Sequence, residues 1–373
     1  MFRPSLKSGK SLYMLMILSI VLFFIAQTSY VQIKSDSYDQ KIEASNLMQQ
    51  YLEAIRDELK QRDFEFDPID DPQKSGLIGT RISSITTSRG LLSEKQTALN
   101  PNLAAVFVEE LSKAKLSEGD HIAVGITGSN PGMNLALYAA MSALKLKPSI
   151  ITANSSSSYG ANREELTWLD IEAILKKRGL ITFSSSYTSL GGLEDLGIGL
   201  TDNGILALRT SMQRNAVPLL VGANLDENVS LRYQAYQELL PQGSRYRLFV
   251  NIGLGLANVG SQVNARLISE GINTKLAEKN FEPEGVMMLL AKKNVKALHL
   301  TRVARLAKEY GLPIQPHAEP KVGEGKVFSY KIHNFTISLI CLILLTAAII
   351  AVIVFDRHDR RFMANIVDPD EEL

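Results

Sequence analysis

A single cysteine, Cys341, stands in 373 residues. With one thiol there is no disulfide framework and no thiolate metal site, so the globular part must be stable through its core. The five histidines are scattered, without a His-x-x-x-His or other ligand spacing, and no metal site or cofactor is read from them. The one tryptophan, Trp168, reads as a core anchor. Charge of either sign is not in excess: 40 Lys and Arg face 39 Asp and Glu. Setting aside the two ends leaves 34 basic against 33 acidic residues. Bulk electrostatics therefore exclude a nucleic-acid binder, and any anionic ligand must be held locally. Between residues 32 and 334 no apolar run is long enough to cross a bilayer.

At the two ends such runs exist. Leu12 to Ala26 reads LYMLMILSIVLFFIA, and Phe335 to Phe355 reads FTISLICLILLTAAIIAVIVF without a charge. A membrane helix needs about 20 apolar residues, which the second run meets outright and the first meets with Gln27 to Val31 at the interface. Arg3, Lys7 and Lys10 precede the first run, and Arg357, Arg360 and Arg361 follow the second. Basic flanks face the cytoplasm. The expectation is a two-pass membrane protein with both termini cytoplasmic and the central domain exported. A cleaved signal peptide is the alternative for the first run, although Ala26-Gln27-Thr28 is a poor cleavage site. Cleavage would leave the domain on the same side. The expected segments are an N-terminus (1–11), a transmembrane helix (12–31), an amphipathic helix and linker (32–80), an exported domain (81–330), a second transmembrane helix (335–355) and a tail (356–373).

Short apolar strands alternate with helices through the domain. Strands are expected at His121–Thr127, Pro148–Ala153, Leu180–Phe183, Val217–Val221 and Tyr246–Ile252, with one or two helices over Val286–Tyr310. This rhythm predicts an α/β fold: a mostly parallel, Rossmann-like sheet with helices on both faces. Ligands in such sheets bind at the carboxyl ends of strands.

Four loops there carry the candidate residues. Gly128-Ser129-Asn130-Pro131-Gly132 joins a strand to a helix and offers an anion site through helix amides and side-chain donors, or a helix entry capped by Ser129 or Asn130. It is neither a Walker loop nor a nucleophile elbow. In SSSSYGANREELTWLD, Arg163 could clamp a carboxylate, while Thr167-x-x-Asp170 fits a capping box better than an acid/base role. Asp170 and Glu172 lie about 200° apart on a helix and cannot converge. In SSSYTSLGGLEDLGIGL, Ser189, Gly191, Gly192 and Asp195 form a polar loop, or a plain surface loop; Asp195 is the candidate base or cation ligand. Gly253-Leu254-Gly255-Leu-Ala-Asn258 approaches a dinucleotide fingerprint, with Asn258 at the third glycine position and no ribose-binding acid following.

GLIGTRISSITTSRG, ITGSNPGMN, SSYGANREELTWLDIE, SLGGLEDLGIGL and VNIGLGLANVGS, in this order, resemble the poly-γ-glutamate system protein family. The resemblance spans nearly the whole chain. Tyr159 stands where the family usually has Trp, and Leu254 interrupts a run of glycines. It implies a membrane-anchored component of poly-γ-glutamate synthesis or export that partners the membrane, the other synthase subunits and the anionic γ-glutamyl polymer. The polymer is then bound or guided, because an exported domain has no ATP supply for ligation. On the matching motifs the ligand-binding candidates are Ser129, Asn130, Gly132, Asn134, Asn162, Arg163, Gly191 and Gly192. The alternative is a γ-glutamyl hydrolase or transferase, with Asp195 acting on a hydroxyl from Ser129 or Ser186. No recognised nucleophile–base pair is visible for it. A third reading keeps the cleft as a vestige of an enzyme fold.

Overall fold

The computed structural model describes residues 9–276 and 282–364. Arg3, Lys7 and the acidic tail beyond 364 lie outside the described residues. The chain forms two compact units, one of both ends (through Lys34 and from Ser329) and one from Ser35 to Phe328.

In the terminal unit, α1 (Gly9–Thr28) leads into strand β1 (Tyr30–Lys34), and strand β12 (Ser329–His333) leads into α13 (Phe335–Ala364). The strands form an antiparallel ribbon with Tyr30 opposite His333, and the helices pack on each other. Over Gly9–Thr28 and Phe335–Phe355 both helices are long and apolar enough to cross a membrane. Phe23, Phe24, Leu342 and Phe355 are among the large apolar side chains left exposed along them. The first helix ends at Thr28, so Tyr30 and Val31 continue as strand where helix was expected.

The central unit begins with α2 (Tyr38–Gln61). Its Ala44, Met48, Tyr51, Leu52, Ile55 and Leu59 recur at helical spacing and are all buried, so this helix belongs to the core of the central unit. It packs on α4 (Leu103–Ser112) and α5 (Pro131–Ala143). Lys41, 1% exposed, ties it to Glu109 at 2.5 Å and to the Val327 carbonyl at 3.1 Å.

The main sheet contains β3 (His121–Thr127), β4 (Lys147–Ala153), β8 (Tyr187–Ser189), β9 (Leu248–Ile252), β10 (Gly271–Asn273) and β11 (Lys296–Leu300). Among the described residues its order is β10-β11-β9-β3-β4-β8, parallel throughout except for the edge strand β10. Alternate side chains serve opposite faces. Ile122, Val124, Ile126, Leu248, Val250 and Leu298 join α2, α4 and α5 in one core. Ala123, Phe249 and Ala297 join α8 (Leu225–Leu239) and α11 (Val286–Ala291) in the other. A third cluster of Ile85, Leu169, Leu190, Leu208 and Met212 involves α6 (Trp168–Lys177) and α7 (Asp202–Arg214).

Three strand expectations are corrected. Leu180–Phe183 is not a strand; Ile181 instead buries into the first core. Val217–Val221 makes only one bridge, Leu219 to Thr188, and the strand at this edge is β8. Val286–Tyr310 holds two helices, α11 and α12 (Val303–Tyr310), but also strand β11 between them, next to the edge strand β10.

Candidate functional site

From β3 the chain steps outward through β4 to β8, then returns to the other side of β3 for β9 and β11. The loops leaving β3 and β9 therefore diverge, and a crevice opens at the carboxyl ends of the strands. A cavity of about 390 Å³ lies there. Thr127 and Ser129 line it after β3, Ser155 after β4, Gly191, Gly192 and Asp195 after β8, and Leu254 and Leu256 after β9. Hydroxyls and short aliphatic side chains dominate the lining, and Asp195 is its one charged group.

The loop at 128–132 is fixed from behind. Neither Ser129 nor Asn130 caps α5; Asn130 makes no capping hydrogen bond. Ser129 Oγ accepts from the Ser157 amide at 3.0 Å. Lys95, on α3 (Leu92–Thr97), donates from Nζ to the Ser129 carbonyl at 2.6 Å and to Asn130 Oδ1 at 2.7 Å. Lys95 is 6% exposed, and among the described residues no carboxylate lies within ion-pair distance of it. Burial pushes its ammonium down to about 8, against the opposing pull of the Glu94 charge. A positive charge thus sits behind the loop with only neutral oxygens as partners. Gly132 is required by packing, since a Cβ there would lie 2.6 Å from the Ala98 carbonyl.

The Asp195 side of the cleft is held by a chain of polar groups. Arg232 on α8 donates from Nη2 to Asp195 Oδ2 at 2.9 Å and to Ser189 Oγ at 2.6 Å. Ser189 Oγ in turn donates to Asp195 Oδ1 at 2.8 Å. Arg232 Nη1 reaches Asn258 Oδ1 at 2.9 Å. Arginine can only donate, so Asn258 must present its oxygen to it and its amide to Asn251 Oδ1, at 2.9 Å. Asn251 Nδ2 then donates to the Gly253 carbonyl at 2.8 Å and to His299 Nδ1 at 3.0 Å. His299 Nε2 completes the run by donating to the Ala265 carbonyl at 3.1 Å. This order fixes a neutral Nε2–H imidazole, and burial lowers the His299 pKa in the same sense. All six side chains of this run, Asp195, Ser189, Arg232, Asn258, Asn251 and His299, are buried.

The structure gathers some of the predicted residues and separates others. Ser129, Gly191, Gly192 and Asp195 share the cleft. Asn130 lies just beneath it: a Cβ on Gly253 would stand 3.5 Å from Asn130 Nδ2. Gly191 and Gly192 have positive φ (76° and 73°), a backbone state that glycine adopts freely. Asn134 is fully buried, donating to the Thr127 carbonyl at 2.9 Å. Asn162 is consumed in clamping Thr80 and Thr86. Arg163 stacks on Phe64 with its Cζ 4.7 Å from the ring centroid. Ser186 precedes β8, three residues before the strand end that meets the cleft. The hydroxyl beside Asp195 is that of Ser189, in place of the expected Ser129 or Ser186.

The capping box forms as expected: the Thr167 amide and hydroxyl both donate to Asp170, which also takes Arg214 at 2.5 Å. Glu172 turns the other way, to Tyr138 and Ser185, where burial pushes its carboxyl up to about 7. Trp168 is fully buried. The Gly253 loop carries no fingerprint geometry for a third glycine. Asn258 is used in the Arg232 chain, and Gly125 opposite it has no room for a Cβ. Lys95, Arg232, Asn251 and His299 were not singled out by the sequence. Each has a partner 26 to 48 residues away, beyond any local pattern. Among the described residues no three His, Cys, Asp or Glu side chains could hold a metal ion. No family model, curated protein or solved structure matches this chain.

Proposed function

We propose that the chain is a two-pass membrane protein whose exported, Rossmann-like domain binds a carboxylate-bearing chain in the cleft at the end of β3 and β9. In this reading it is the polymer-binding or guiding component of a poly-γ-glutamate synthesis or export system, working beside other membrane subunits. The observation that carries the cleft assignment is Lys95: a buried ammonium without a carboxylate partner, directly behind the Ser129–Asn130 loop. Its charge biases the loop's amides and hydroxyls toward an anion, while Leu254 and Leu256 suit a short aliphatic stem. The membrane assignment rests on the exposed apolar faces of α1 and α13, which water would disfavour. The family resemblance of the ordered motifs supplies the polymer.

Binding is favoured over hydrolysis or transfer by the state of Asp195. Its carboxylate is neutralised by Arg232, and the Ser189 hydroxyl accepts from the same guanidinium. Neither group is free to activate a nucleophile. The test is titration of a γ-glutamyl oligomer into the full chain in detergent. Leu254→Trp, at a half-exposed cleft residue, should weaken binding about tenfold or more by filling the site. Lys95→Met should weaken it severalfold, and oligomer length should stay constant. Unaltered affinity in both variants, or shortening of the oligomer, would remove the reading.

A further inference from the structure

At the amino ends of the same strands lies a second cavity, of about 470 Å³. Tyr233 and Gln237, one turn apart on α8, and Leu240 just past its end form one wall. Arg245 and Arg247, on the segment entering β9, form another. Lys293, on the turn after α11, and Lys296, at the start of β11, close the third side. The lining holds four cations and no carboxylate. In a chain whose charges balance, that concentration of one sign is local.

Most of the positive charge is unspent. Among the described residues the side chains of Arg245 and Lys293 have no hydrogen-bond or ion-pair partner. Arg247 has only Asp120, at 3.9 Å, and Lys296 bonds the Ala114 carbonyl at 2.9 Å. Tyr246 alternates with the two arginines. Its ring is buried and its hydroxyl donates to the Tyr236 carbonyl at 2.7 Å, so Arg245 and Arg247 share the opposite, exposed side. Both arginines precede β9, which begins at Leu248. The planar guanidinium fork matches a carboxylate, and several carboxylates on one chain can engage several cations at once. The volume falls within the roughly 300–1,000 Å³ typical of ligand sites.

We propose that this cavity binds an acidic peptide chain, with its carboxylates held by Arg245, Arg247 and Lys293. The site stands apart from the cleft at the other end of the strands and does not depend on its assignment. The probe is fluorescein-labelled hexaglutamate, titrated into the full chain in detergent and followed by anisotropy. Saturable binding should weaken with added salt and fall about tenfold or more in Arg245→Gln/Lys293→Gln. Both residues are exposed, so the fold is spared. Arg209→Gln, an exposed cation elsewhere, should bind like the parent. Absence of saturable binding, or equal affinity in the double variant, would overturn the proposal. Displacement of the peptide by tripolyphosphate at about a tenth of the concentration needed of unlabelled hexaglutamate would also overturn it, assigning the cavity to compact phosphates.

Discussion

Replacing Arg232 by methionine isolates the polar chain that holds the cleft. The guanidinium and the Asp195 carboxylate are 1% and 3% exposed and 2.9 Å apart. Removing one member of such a pair strands the other charge in the interior, at a cost of roughly 3–5 kcal/mol. Asn258 Oδ1 and Ser189 Oγ lose a donor in the same step, adding about 1 kcal/mol. A unit of this size loses about 2–3 °C in Tm per kcal/mol, so Arg232→Met should melt about 8–18 °C below the parent. Asp195→Asn should be destabilising as well, because it leaves the arginine unpaired. The double variant Arg232→Met/Asp195→Asn has no orphaned charge and should melt above Arg232→Met. Differential scanning fluorimetry of the full chain in detergent reads all four proteins. A Tm change under about 2 °C in Arg232→Met would refute the buried-pair argument. So would a double variant whose loss equals the sum of the single losses, since the two residues would then be uncoupled.

Lys95 carries a pH signature whose sign can be worked out. Its folded pKa is lowered to about 8 from 10.5, so between these values the unfolded chain binds more protons. Stability should therefore rise from pH 8 to pH 10.5, by about 2–3 kcal/mol, as the buried ammonium is discharged. Guanidinium midpoints of the parent and Lys95→Met should diverge across this window, and parallel profiles would contradict the assignment. Topology can be read from one introduced thiol, because native Cys341 is buried in α13. Gln234→Cys, on the exposed side of α8, should react with a membrane-impermeant maleimide in intact cells; reaction only after permeabilisation would place the domain in the cytosol.

Features set by a few neighbouring residues are legible in the sequence. The Thr167–Asp170 box closes over three residues, and its geometry follows from helix-start chemistry alone. The strands β3, β4 and β9 carry enough consecutive apolar residues to declare themselves. β8 has three residues and two polar hydroxyls, while the more apolar Leu180–Phe183 nearby packs without pairing. In β11, KALHL interrupts its apolar run with His299, which looks out of place until the sheet puts it against Asn251. Ser129 and Asn130 were legible as special because a strand, a glycine turn and a helix follow in order. Lys95 behind them was not, since the contact joins residues 34 and 35 positions apart.

The sequence by itself determined the two apolar ends, the cysteine-poor central unit and the strand–helix rhythm, because hydropathy and periodicity act over a few turns of chain. Only the tertiary structure decided which strands are neighbours, and hence where the crevice opens. It also decided which charges meet. Arg232 neutralises Asp195, Lys95 stays unmatched, and four cations converge on one cavity, because buried electrostatics depends on distance through space and sequence separation carries no record of it.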